Sequence, residues 1–75
     1  MWCYKSKVGL MRIYPSGSRY LLEINDVVYG SYPNPIAAAD DVASFVTGCY
    51  EWDSLETVIN NYPADISEWD RMTAP

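Results

Sequence analysis

Tyr20-Leu21-Leu22-Glu23-Ile24-Asn25-Asp26-Val27-Val28-Tyr29-Gly30-Ser31-Tyr32-Pro33-Asn34-Pro35-Ile36-Ala37-Ala38-Ala39 holds two changes of rhythm. Residues 19–24 and 27–32 are rich in β-branched and aromatic side chains, and Asn25-Asp26 between them is a turn signal. Pro33-Asn34-Pro35 then stops the strand pattern. Asn34 is a good N-cap, and Pro35 suits the first helical position, where its missing N–H leaves no bond unmade. From there Ala38/Ala39, Val42, Phe45/Val46 and Cys49 recur at spacings of three and four, with Asp40, Asp41 and Ser44 on the other side. This predicts a helix over residues 35–47, with Gly48 as the residue that ends it.

Upstream, Pro15-Ser16-Gly17-Ser18 is a loop connection, and residues 8–14 form a further β-prone run. Downstream, Asp53 or Ser54 caps a second, shorter helix that carries Leu55, Val58, Ile59 and Tyr62 and ends at Pro63. Residues 64–69 offer one more turn, with Ile66 and Trp69 packing back. The expected fold is α+β: a three-stranded antiparallel sheet packed on one main helix, with a short helical C-terminal tail. It is one domain over residues 1–75, with a core module at about 4–48 and an extension at about 53–70. Leu22, Ile24, Val27, Tyr29, Ala39, Val42 and Val46 are the expected core. Cys49 reads as a small hydrophobe on the helix stripe.

The pattern aromatic-x-x-Glu23-Ile24, then Gly30-Ser31-Tyr32, then an Ala-rich helix opening at Pro35 resembles the plant ethylene-response-factor DNA-binding domain. It is also similar to the arm-binding domain of phage integrases. The likeness covers roughly residues 8–46 and implies a three-stranded sheet on one helix. In those families the exposed sheet face presents arginines and tryptophans to the major groove. Here Glu23, Asn25 and Val28 stand in the corresponding places, so bidentate base reading by Arg is missing from two strands. In general character the chain is also similar to short uncharacterised bacterial proteins.

Charge narrows the partners. Residues 1–20 carry Lys5, Lys7, Arg12 and Arg19 without an acid, a charge of +4; residues 21–75 carry −9, and the net is −5. An acidic whole repels phosphate backbones and anionic lipid at long range. The four basic residues are candidate phosphate contacts at short range, within a Debye length of about 8–10 Å. Neither an apolar leader nor a membrane-length apolar run is present, which predicts a cytoplasmic protein. There Cys3 and Cys49 are expected as free thiols.

Chemistry finds little support. The chain has no histidine, so the commonest general base is missing, and a zinc site would lack ligands. Asp40 and Asp41 point about 100° apart on a helix, so they do not converge. Glu51-Trp52-Asp53 and Glu68-Trp69-Asp70 read as aromatic anchors flanked by acids. Trp2, Tyr14 and one of Trp52 or Trp69 are candidate surface aromatics. No enzyme, cofactor or metal is predicted. Three functions remain open: a protein-interaction or self-associating module, a weak nucleic-acid binder through the basic front end, and an acidic DNA mimic. The first demands least of the sequence. Its candidate interaction face is the sheet side away from the helix, with Leu21, Glu23, Asn25 and Val28, unless Leu55, Ile59 and Trp69 of the tail fold over it.

Overall fold

The computed structural model describes residues 1–72. It contains β1 (Trp2–Ser6), β2 (Gly9–Ser16), β3 (Arg19–Ile24), β4 (Val27–Tyr32), α1 (Pro35–Ala43), α2 (Tyr50–Asp53), a 3₁₀ turn at Ile66–Glu68, and β5 (Asp70–Arg71). All strand pairs are antiparallel, in the order β4-β3-β2-β1-β5.

The α+β class holds, but the sheet has five strands rather than three. Two-residue turns make the first four a meander. Asn25 and Asp26 both take positive φ (53° and 69°), and Gly17 takes φ 62°, as primed hairpin turns require. The overlooked β1 alternates clearly: Trp2 and Tyr4 face the core, while Cys3 and Lys5 face away. Its turn, Lys7-Val8, holds no Gly, Asn or Pro, so no punctuation marks it. Gly9 just beyond takes up the strain at φ 125°. β5 is two residues long and exists through pairing alone. Met72 N–H donates to Met1 C=O at 2.7 Å, and the Met1 amino group donates to Met72 C=O at 3.1 Å.

α1 starts where expected. Asn34 Oδ1 accepts the Ala37 N–H at 2.8 Å, with Pro35 inside the first turn. It ends early. Val46 N–H bonds Asp41 C=O at 3.1 Å and Phe45 N–H bonds Val42 C=O at 3.2 Å, the paired bonds of a Schellman motif. The left-handed residue is Phe45 (φ 56°), not Gly48. Helix 35–47 is thus cut to 35–43, and Val46 swings out to 59% exposure instead of joining the core. Phe45 stays buried, stacked on Trp52 at 4.9 Å and edge-on to Tyr62 at 5.0 Å.

Asp53 explains the next departure. Its Oδ1 accepts from Thr47 N–H (3.0 Å) and Thr47 Oγ1 (2.8 Å), and its Oδ2 from Gly48 N–H (2.9 Å). It holds the loop before α2 rather than capping a helix after it. The expected helix 53–62 does not form; Thr57, Val58, Ile59, Asn60 and Asn61 are weak helix formers. The tail still supplies Leu55, Ile59, Tyr62 and Ile66 to the core, and the expected turn near Trp69 is the 3₁₀ turn.

The core joins Met11, Ile13, Leu22 and Ile24 of the sheet to Ala38, Ala39 and Val42 of α1, with Phe45, Cys49, Trp52 and Trp69. Of the expected core, Leu22, Ile24, Ala39 and Val42 are buried and Tyr29 is partly so. Val27 is 51% exposed, although it pairs with the buried Ile24 as the first residue of the edge strand β4. Trp52 and Trp69 are both buried, so neither is a surface aromatic; Trp2 and Tyr14 are half-buried.

Candidate interaction site

Strand register divides the sheet into two faces. One carries Trp2–Ile13–Leu22–Gly30 and Tyr4–Met11–Ile24–Val27 as cross-strand rungs under the helices. The other carries Asp70–Cys3–Arg12–Glu23–Val28, a rung that crosses all five strands, flanked by Tyr14–Leu21–Ser31 and Lys5–Leu10. A bulge between Leu22 and Glu23 sets β4 in this phase. Leu22 faces Gly30 but Glu23 faces Val28, so Tyr29 is the extra residue and Val28 turns to the open side.

The tail packs on the helical side. Trp69 lies 5.6 Å from Tyr4, and Trp52 lies 6.1 Å from the same ring. Leu55 and Ile59 join the core cluster there. Among the described residues, no element covers the opposite face. Leu10 (43%) and Val28 (48%) are exposed on it, and Leu21 is half-buried.

At its centre Glu23 is only 8% exposed, on a sheet side where the described residues form no second layer. Its own neighbours hide it. Arg12 forms a charge-assisted hydrogen bond to Glu23 Oε2, and Tyr14 O–H donates to Oε1 at 3.2 Å. Asp26 reaches the same guanidinium at 3.5 Å. Both carboxylate oxygens are therefore occupied inside the chain, and removing water from them leaves no acceptor unpaired.

No family model matches this chain, and neither does any curated protein or solved structure.

Of the four expected face residues, Leu21, Glu23 and Val28 share this surface. Asn25 stands past the end of β3, in the turn, where its N–H bonds Leu10 C=O at 2.9 Å. The basic residues do not gather. Arg12 is held by Glu23. Arg19 is fixed near the far hairpin, its Nε donating to Ser31 Oγ at 2.6 Å and its Nη2 to Ser31 C=O at 2.9 Å. Lys5 and Lys7 are exposed at the opposite end of the sheet. Cys49 is buried with its Sγ 3.6 Å from Glu51, and Cys3 is a half-buried free thiol on the open face. Among the described residues, no cluster of three or more His, Cys, Asp or Glu forms a metal site. No helix in them is long and apolar enough to cross a membrane.

Sequence reasoning overlooked Leu10, Arg12 and Tyr14 as members of this face. The signal was present: Leu10, Arg12 and Tyr14 alternate with the buried Met11 and Ile13 along β2.

Proposed function

We propose that this chain is a small non-enzymatic interaction module whose open sheet face takes a protein surface, a second copy of the chain being the first partner to test. One observation carries the reading. Leu10, Leu21 and Val28 surround a polar centre, Glu23 with Arg12 and Tyr14, whose hydrogen bonds are already made internally. Glu23 is already nearly out of water with both oxygens accepting, so covering it further costs little, while the apolar side chains gain about 25 cal/mol per Å² removed from water. Arg12 engaged by Glu23 is a weak phosphate ligand, which favours a protein partner over a nucleic acid.

The test is Leu21→Lys with Val28→Lys, read by sedimentation across a concentration series and by thermal unfolding. The wild type should dimerise, and the double variant should be monomeric with its Tm unchanged. A wild type that stays monomeric, together with a steep fall in the variant's Tm, means that the face only supports the fold.

A further inference from the structure

A second surface lies at the edge of the sheet rather than on its face. Met1 and Met72 exchange both main-chain bonds. An antiparallel ladder alternates, so along β1 the residues whose N–H and C=O point outward, toward β5, are Met1, Cys3 and Lys5. β5 meets Cys3 with Asp70 and reaches no further along β1. The next outward pair, the N–H and C=O of Lys5, has no partner among the described residues. A strand edge left open in this way is a template for another strand.

Lys5 also lines a cleft of about 510 Å³ between β1 and residues 58–63. Tyr4, Ile59 and Tyr62 give it apolar walls, and Asn60 and Asn61 add amides that can both donate and accept. Lys5 and Lys7 line it, exposed, with no ion-pair partner among the described residues, although Glu68 stands on the same cleft. Two free cations in a chain of net charge −5 make this a local reversal of sign.

We infer that this cleft binds an extended acidic peptide segment of a partner protein, which adds main-chain bonds to Lys5 and sets carboxylates against Lys5 and Lys7. Main-chain pairing supplies the orientation, alternate side chains supply the selectivity, and the charge speeds the encounter. The Lys5 side chain belongs to the open side of β1, but Leu21 and Val28 stand two and three strands away, so Leu21→Lys with Val28→Lys leaves the site intact.

The test titrates the full chain with the peptide Ac-SEVEVES-NH2, following amide shifts by NMR. Binding should move residues 4–7 and 58–63 and leave Leu21 and Val28 still. Replacing each Glu of the peptide by Lys, or methylating its alternate main-chain nitrogens, should weaken binding by about tenfold or more. Lys5→Glu with Lys7→Glu should do the same with the fold's amide dispersion kept, whereas Glu68→Gln should strengthen binding. No shifts at millimolar peptide overturn the inference. Equal binding of the Lys peptide or of the methylated peptide overturns it too. An oligothymidylate that binds the same residues more tightly than the Glu peptide would make the cleft a phosphate site instead.

Discussion

Phe45 carries two opposed demands, and replacing it separates them. Its ring is buried against Trp52 and Tyr62, while its backbone sits at φ 56°, the left-handed region that favours glycine. Truncating a buried Phe to Ala removes about 3–5 kcal/mol. Left-handed backbone strains a residue with a Cβ by about 1–2 kcal/mol. Phe45→Gly relieves that strain but loosens the unfolded chain by about 0.4–1 kcal/mol. Glycine should therefore be the more stable of the two variants, by roughly 0.5–1 kcal/mol. In a continuous helix the order reverses, with alanine ahead by about 1 kcal/mol. The sign alone decides. Urea unfolding of both variants, followed by tryptophan fluorescence, measures it. A domain of 75 residues has roughly 4–11 kcal/mol in total, so TMAO can hold both variants folded during the titration. If Phe45→Ala proves the more stable, α1 runs on through residue 45 and the Schellman ending is wrong.

The two buried tryptophans should differ under the same substitution. Trp52 Nε1 donates to Val42 C=O at 3.0 Å, whereas Trp69 Nε1 is buried without an acceptor among the described residues. Trp52→Phe should cost about 1–3 kcal/mol more than Trp69→Phe in chemical unfolding; equal costs would refute the distinction. Asp53→Ala strips the loop of its acceptor for Thr47 and Gly48 and should lower stability by about 1–3 kcal/mol, with amide protection lost at both N–H groups. Tyr32 titrates well above the ordinary 10.0, chiefly through burial and then through its O–H bond to Asp41 at 2.8 Å. The fold thus retains this proton more tightly than the unfolded chain does. Its contribution is complete below pH about 10 and falls as pH rises toward the folded value. Tyr32→Phe should blunt alkaline unfolding without abolishing it, because burial also raises the pKa of Tyr4 and the neighbouring Cys49 raises that of Tyr29.

Local chemistry was enough for part of this protein. The Asn25-Asp26 turn, the strands on either side of it, the Asn34 cap with Pro35, and the inward phase of Leu22, Ile24, Ala39 and Val42 follow from residue preference and periodicity. These features depend on neighbours within a few positions. The free side of β3, with Leu21 and Glu23, followed from the same alternation. What depended on distant neighbours was not legible. β5 has too few residues to show a period and exists because Met72 meets Met1. The end of α1 was set by the aromatic pocket that Trp52 and Tyr62 offer Phe45, which outweighs the usual choice of glycine at a left-handed residue. The uncovered sheet face was decided last: Tyr4 holds Trp52 and Trp69 on the helical side, and a sequence period cannot say on which side of a sheet a tail will settle.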